Sequence, residues 1–281
     1  MKILVTGGAG FIGTNLLLEL KKQNHKLVSV DNYSIGTKEN HIEGVKYISL
    51  DVNKIKEIKN DFDLIYHLAG LSRIQPSFRE PTSTFISNTK GVESVIEWAR
   101  LNRTKIVYSG SSSFHHDPYQ SPYAFYKYLG EEICRMYRRV YDMNIEIVRF
   151  YNVYGPKEIV HGEWAAVIGI WRSQIENNLS LTIVGDGEQK RDFTHIHDIV
   201  DALLKIGINK TKFNNEWELG TGINYSLNEV YQMFKEKFGV DKIHINNQSG
   251  NYRETLRIDN KALKLLNWKP KDRLKKYIMN L

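Results

Sequence analysis

Cysteine is almost missing from this chain. Cys134 stands alone, so no intrachain disulfide can form. Its place in an amphipathic stretch fits a small buried apolar side chain. Long apolar runs are missing as well. No window reaches the length of a membrane span, and the opening Met1-Lys2-Ile3-Leu4-Val5-Thr6 runs straight into glycines rather than a signal-peptide core. A soluble, cytoplasmic protein is the expectation. Zinc-finger spacing, recognition-helix signatures and coiled-coil repeats are absent, so no motif supports a metal site, a nucleic-acid partner or a coiled coil. Acidic side chains are outnumbered: 39 Lys and Arg face 32 Asp and Glu, a formal charge of +7. Such a surface suits nucleic acid, anionic lipid or a phosphorylated small molecule. The basic residues are spread out, however, and pairs such as Lys21-Lys22 and Lys275-Lys276 read as solvated faces.

What is present is an alternation. The 281 residues allow one large domain or two modest ones, and a hydrophobic fraction of 41% suffices for a core. Strands are expected over 2–5, 26–30, 45–50, 63–68, 105–108 and 145–150. Helical stretches lie between several of them, most clearly over 11–23, 84–100 and from Pro122 to Tyr137 or beyond. Strand–helix alternation predicts an α/β fold of Rossmann type, a parallel sheet with helices on both faces. After Asn152 the rhythm loosens. A loop is expected over 156–162, helices over 164–177, 196–206 and 226–238, a strand over 181–184, and a last helix built on Ala262, Leu265 and Leu266 before Lys269-Pro270. The division expected is a nucleotide-binding domain over 1–155 and a smaller α/β lobe over 156–281, with segments near 190–220 returning to the first.

The segment TGGAGFIG, Thr6 to Gly13, fits both G-x-x-G-x-x-G (Gly7, Gly10, Gly13) and G-x-G-x-x-G (Gly8, Gly10, Gly13). It follows a strand and opens a helix. There the missing side chains allow a tight turn, close approach of backbone to a pyrophosphate and close helix–sheet packing. Asp31 ends the second expected strand, 18 residues after Gly13. A carboxylate at that place accepts hydrogen bonds from an adenosine ribose and repels a 2′-phosphate, which favours NAD over NADP. Asp51 ends the third strand and is open to two readings, an adenine contact or a cap.

Tyr123 and Lys127 are four apart and share a helix face. A lysine cation beside the phenol favours phenolate, which would serve as a general base, and the lysine could also bond a nicotinamide ribose. Tyr-x-x-x-Lys alone is common. The serine run 109–113 at a strand end, within a dinucleotide fold, gives it weight.

With these residues in place the chain resembles the extended short-chain dehydrogenase/reductase family, in particular the sugar-nucleotide 4-epimerases, over nearly its whole length. The matching segments are TGGAGFIG with Asp31-Asn32, His67-Leu68-Ala69-Gly70, Asn88, Tyr123 to Lys127, and Arg149 to Pro156 (RFYNVYGP). Further matches are Gly185-Asp186-Gly187 with Arg191-Asp192-Phe193-Thr194, and Asn267-Trp268-Lys269-Pro270, where Asn replaces the usual Gly. The resemblance implies NAD contacts from Gly7, Gly10, Phe11, Ile12, Gly13, Asp31, Asn32, Asp51, Val52, Leu68, Ala69, Tyr123 and Lys127. It implies catalysis by Ser111, Tyr123 and Lys127, with Ser112 the neighbouring candidate for the serine. Substrate contacts are implied for Arg73, Ser112, Asn152, Arg191 and Arg253, with Arg257 the rival of Arg253 for the second phosphate. The implied activity is reversible C4 inversion of a nucleotide sugar, UDP-linked by family frequency, in a homodimer formed through helices near 85–100 and 123–140.

One departure bears on the site. Ser111 and Tyr123 are only 12 residues apart, a connection about half the family's usual length, and Phe114-His115-His116 replaces the family's V-Y-G. The shortening could widen the sugar site, bring His115 or His116 to the ligand, or mark lost activity. Three rival readings remain: a 4,6-dehydratase or uronate decarboxylase, a 4-keto-sugar reductase, and a non-catalytic NAD-binding protein. Ser112 and Ser113 stand where the first pair would carry an acid, and Asp31 argues against the phosphate-tolerant site a reductase prefers.

Overall fold

The apolar runs pair as strands, and the stretches between them coil over the sheet. In the computed structural model, which describes residues 1–59 and 61–281, the strands are β1 (Lys2–Thr6), β2 (Lys26–Asp31), β3 (Lys46–Ser49), β4 (Leu64–His67), β5 (Lys105–Ser111), β6 (Ile145–Phe150), β7 (Val153–Tyr154), β8 (Leu181–Val184), β9 (Lys190–Asp192), β10 (Thr194–His195), β11 (Glu216–Leu219), β12 (Asn224–Ser226) and β13 (Lys242–Ile245). The helices are α1 (Phe11–Lys21), α2 (Ile74–Arg79), α3 (Pro81–Phe85), α4 (Gly91–Arg100), α5 (Pro122–Tyr141), α6 (Val167–Glu176), α7 (Ile196–Gly207), α8 (Leu227–Phe238), α9 (Lys261–Leu265) and α10 (Leu274–Met279).

Seven strands form one parallel sheet in the order β11-β6-β5-β4-β1-β2-β3. The order reverses beside β1, and such a switch point opens a crevice at the carboxyl ends of the strands. Burial on both faces explains the unbroken apolar runs: Ile3, Leu4 and Val5 are all fully buried. One face packs α1, α7 and α9 through Leu16, Leu17, Ile199, Leu203 and Ala262. The other packs α4 and α5 through Val95, Ile96, Cys134 and Tyr137. Cys134 is fully buried there. The edge strand β11 is fixed by the buried carboxylate of Glu146, which accepts from the Asn214 and Asn215 amides and from Trp217 Nε1 at 2.8–3.0 Å.

The second core gathers Trp171, Leu181, Ile183, Phe193, Leu227, Phe234 and Leu274 under α6, α8 and α10. Its strands pair in twos: β8 with β13, β9 with β12, and β10 with β7. Thus β11 lies in the main sheet, while the strand near 193 crosses to β7 rather than entering that sheet. The stretch 84–100 is not one straight helix. It bends through a π-helical turn over Ile86–Lys90, which carries Asn88. The helix expected over 164–177 starts later, at Val167. No helix among the described residues is long and apolar enough to cross a membrane.

Candidate active site

Most of the glycines after β1 leave no room for side chains. Gly7 has φ +72°, and a Cβ there would lie 2.8 Å from the Ala69 amide nitrogen; one on Gly13 would lie 2.2 Å from the Gly7 carbonyl oxygen. At Gly10 a Cβ would meet only that same oxygen, at 3.3 Å, so this side of the turn is open. Helix α1 has Gly10 at its N-cap, with no side-chain cap and no acid in its first turn. Its first-turn amides, from Phe11, Ile12 and Gly13, are therefore free to meet an anion. Asp31, buried at the end of β2, accepts from the Ala9 amide through Oδ2 and from the Tyr33 amide through Oδ1, both at 2.9 Å. A carboxylate has lone pairs beyond these two for a ribose hydroxyl. Leu68 and Ala69 follow β4 and donate to Thr6, the first to its carbonyl and the second to Oγ1. The cradle, the uncapped helix and the acceptor at Asp31 fit a dinucleotide.

Asp51 caps the turn Val52–Glu57, accepting from the Asn53 amide at 2.8 Å and from Asn32 Nδ2 at 3.0 Å. Of its two sequence readings the cap is the one its bonds display. Val52 is buried in the apolar core beside Gly91. Asn88, for which the sequence offered no task, clamps the turn after β4: Oδ1 accepts from Leu71 N at 2.8 Å and Nδ2 donates to Leu71 O at 2.7 Å.

The catalytic candidates meet at the carboxyl end of β5, which runs three residues further than expected, to Ser111. Tyr123, in the first turn of α5, donates its hydroxyl to Ser111 Oγ at 3.2 Å. Ser111 Oγ also accepts from Ser113 N and Ser113 Oγ, at 3.2 and 2.8 Å. Ser112 lies next to it, partly buried, in the short turn Ser112–His115. Lys127 is buried, donates to the Ser109 carbonyl at 2.5 Å and lies 5.0 Å from the Tyr108 ring centroid. Burial lowers its pKa to about 8, against the pull of Glu131 and Cys134. Burial raises the Tyr123 phenol, and the Ser111 bond and the charge of Arg73 oppose that rise. The Lys127 ammonium itself is turned toward the Ser109 carbonyl. His67, fully buried, is pushed down to about 3 by burial and by Lys127, so it stays neutral.

The shortened connection is held down rather than slack. Phe114 packs against two guanidiniums, 3.9 Å from Arg149 and 4.5 Å from Arg135, measured to the ring centroid. His115 Nε2 lies 2.9 Å from Glu218 Oε1. His116 stacks on Tyr252 at 3.9 Å between ring centroids. Tyr252 comes from the C-terminal lobe, on a segment that covers the connection: Gln75 Nε2 donates to Ser249 O at 2.8 Å, and a Cβ at Gly250 would lie 3.3 Å from Gln120 O. The sequence reading missed Tyr252. Its hydroxyl is buried near Ser113 and Ser121, and its charge would be felt by both Tyr123 and Arg191. The available signal was alternation: in an extended segment beside Arg253, the neighbour points to the opposite side.

Arg191, on β9, is partly buried and makes one bond, from Nη1 to Lys190 O at 2.8 Å; burial lowers its pKa to about 10. Arg253 instead lies at the surface, paired with Asp186 at 2.9 Å. Arg257 has Nη1 buried without a partner and lies against Gly222. Asn152, with φ +26°, spends its Nδ2 on Asp192 O and Thr255 Oγ1. Arg73 bonds Trp164 O at 2.8 Å and Ser72 O at 2.9 Å. Among the described residues no cluster of His, Cys, Asp and Glu is arranged to hold a metal ion.

The profile of the NAD dependent epimerase/dehydratase family matches residues 3–220. A protein of Methanocaldococcus jannaschii, provisionally named a UDP-glucose 4-epimerase, is 32% identical over 98% of this chain and 95% of its own length. The UDP-N-acetyl-alpha-D-glucosaminuronate decarboxylase of Bacillus cytotoxicus is 29% identical over 82% of this chain and 78% of its own. Among solved structures, the Thermotoga maritima UDP-glucose 4-epimerase with UDP-glucose superposes with a TM-score of 0.90, at 27% identity, over 99% of this chain and 96% of that one.

Proposed function

Because the chain belongs to the NAD-dependent epimerase/dehydratase family, we propose that it inverts the C4 centre of a UDP-linked sugar reversibly, with NAD as its cofactor. The observation that carries this reading is the Tyr123 hydroxyl bonded to Ser111 Oγ at 3.2 Å, at the strand ends beside the glycine cradle. Bound on Gly7 to Gly13 with its ribose at Asp31, NAD would take up and return the C4 hydrogen as hydride. Tyr123 accepts the proton of the 4-hydroxyl, Ser111 relays it, and Lys127 holds the carbonyl end of β5 that presents both. Asp31, already acceptor to two amides, leaves no place for a 2′-phosphate.

The diphosphate is assigned to Arg191 and, in preference to the surface-paired Arg253, to Arg257. Ser112 and Asn152 Oδ1 are left for the sugar. Residues 1–155, with later segments near 190–220, serve the cofactor; residues 156–281 mainly serve the substrate. Exposed Phe85, Ile86, Met136 and Val140 on the α3–α5 side support a homodimer through that face, in the cytoplasm. The dehydratase and decarboxylase alternative lacks an acid in place: Ser113 is bonded to Ser111, and Asp117 caps the turn Pro118–Gln120.

The test is NMR of the protein with UDP-galactose, UDP-N-acetylgalactosamine and UDP-glucuronic acid, each with added NAD and no reduced cofactor. Inversion at C4 is expected in at least one. Tyr123→Phe should lower kcat by about 10³-fold while NAD binding persists. A 4-keto-6-deoxy sugar or a pentose as product would replace inversion with the alternative. No conversion at all, with NAD bound, would favour the non-catalytic reading.

A further inference from the structure

Buried and half-buried guanidiniums in this protein fall into two sets. Arg135, Arg138, Arg149, Arg172 and Arg273 each have a carboxylate within 4.0 Å. Arg73, Arg191 and Arg257 have none among the described residues. A desolvated charge without a counter-charge is costly, so an unpaired guanidinium in a cleft points to an anionic ligand. A diphosphate bridging a nucleoside and a sugar carries two negative charges, and Arg191 with Arg257 answers both. Arg73 is one cation too many for a neutral hexose.

Its position says what it faces. Arg73 immediately precedes α2, and α2 is stitched to the start of α5 by the bond from Tyr123 N to Ser77 Oγ at 3.1 Å. The guanidinium is oriented by Trp164 O on Nε and Ser72 O on Nη1, which leaves Nη2 without a hydrogen-bond partner among the described residues. The acid whose charge acts on it, Glu158, is already spent on Arg172 Nη1 at 3.0 Å and on the Tyr277 hydroxyl at 2.9 Å. The charge of Arg73 is felt at the Tyr123 phenol. In a hexopyranose C6 is carried by C5, the ring neighbour of C4. A cation held near the group that acts on the 4-hydroxyl is therefore also near C6.

We propose that Arg73 is the counter-charge for a carboxylate at C6, so that the preferred substrate is a nucleotide-linked hexuronic acid. A planar fork of N–H donors matches a carboxylate and gains little from a hydroxymethyl group. The proposal rests on the epimerase reading above and narrows it. Its rival is local: Arg73 serves only to favour the Tyr123 phenolate, in which case it treats all sugars alike.

The test compares UDP-glucuronic acid with UDP-glucose on the NAD-loaded protein, for wild type, Arg73→Gln and Arg73→Lys, by NMR rates and KM. In parallel, calorimetry measures binding of both sugars to Tyr123→Phe with and without Arg73→Gln. The expectation is a wild-type preference for the uronate of about 100-fold in kcat/KM. Arg73→Gln should collapse it mainly through KM, Arg73→Lys should restore part of it, and calorimetry should show the same loss of uronate affinity. An equal fall in kcat for both sugars with KM unchanged would overturn the proposal in favour of the rival. A wild-type preference for UDP-glucose would overturn it while leaving the epimerase reading intact. If neither sugar is converted, the epimerase reading is left to the N-acetylhexosamine substrate, and calorimetry alone decides whether Arg73 selects the carboxylate.

Discussion

Two charged regions lie at the carboxyl edge of the same sheet and are built on opposite rules. Around β6 and β11, Arg149 bonds Glu131, Glu216 and Glu218 at 2.6–3.0 Å, Arg135 joins Glu216 at 2.7 Å, and Tyr151 donates to Glu218 Oε2 at 2.6 Å. Every ion there has a partner, and Phe114 seals the assembly. Around β5 and β9, buried Lys127 and half-buried Arg73 and Arg191 bond carbonyl oxygens and have no carboxylate partner among the described residues. Matched charge is scaffold. Unmatched charge is bought with stability and marks where a ligand goes. The family motif runs across this divide, since Arg149 heads the matching RFYNVYGP segment but lies wholly in the matched set.

Removing the hub of the matched set should break the contrast most visibly. Arg149→Met leaves the essentially fully buried Glu131 with Arg135 and Glu218 with His115 and Tyr151, and should cost about 3–5 kcal/mol in denaturant unfolding. The effect depends on pH. Burial pushes Glu216 up, but the hydrogen bond and charge of Arg135, then Arg149 and Arg138, outweigh it and hold the carboxyl at about 2. Glu218 is likewise held below its ordinary value, against burial, by His115 and Tyr151. Carboxyls depressed in the folded state contribute stability above the ordinary value of 4.5 and lose it as pH falls toward about 2. The gap between wild type and variant should narrow over that window. A constant gap from pH 7 to 3 would show that Arg149 acts by packing alone.

Lys127→Met should do the reverse. The folded lysine, at about 8 against an ordinary 10.5, releases its proton more readily than the unfolded one. Below pH 8 the buried ammonium therefore costs stability, and the cost fades as pH rises from 8 to 10.5. Replacing it should raise stability by about 1–3 kcal/mol at pH 7 and by much less at pH 10.5, while conversion falls by about 100-fold or more. A destabilised variant would place Lys127 with the matched set, through its bond to Ser109.

Much of this is legible in the sequence. Strand alternation yields the sheet because its runs are buried on both faces and so stay apolar throughout. The glycine turn, Asp31 and the Ser111–Tyr123–Lys127 trio are legible because each is local, fixed by a strand end or a helix turn. The pairing within the trio was less so: spacing puts Lys127 on the face of Tyr123, but the Ser109 carbonyl captures its ammonium. The illegible part is long-range. Tyr252 reaches the site only because the C-terminal segment lies over a connection that the chain shortened, and nothing in the local pattern of 111–123 announces that cover. His116 and Tyr252 meet there as a stacked pair.

The smallest effect is the most discriminating for the arginines of the C-terminal lobe. Segment 253–255 runs along β9, with Lys190 N donating to Arg253 O and Thr255 N donating to Lys190 O. Alternation along such a segment turns Tyr252 inward to His116 and Arg253 outward to Asp186, where its side chain is 66% exposed. An exposed pair of this kind contributes little. Arg253→Ala should therefore leave the KM for the nucleotide sugar within about twofold and the melting temperature unmoved. Arg257→Ala, which removes a guanidinium with a buried, unpartnered Nη1, should raise that KM by about tenfold or more. UDP alone is the sharper probe, because its affinity reports the diphosphate without the sugar. If Arg253→Ala weakens UDP binding and Arg257→Ala does not, then Arg253 leaves Asp186 when the ligand arrives. The rule separating matched from unmatched charge would then hold for the free protein only.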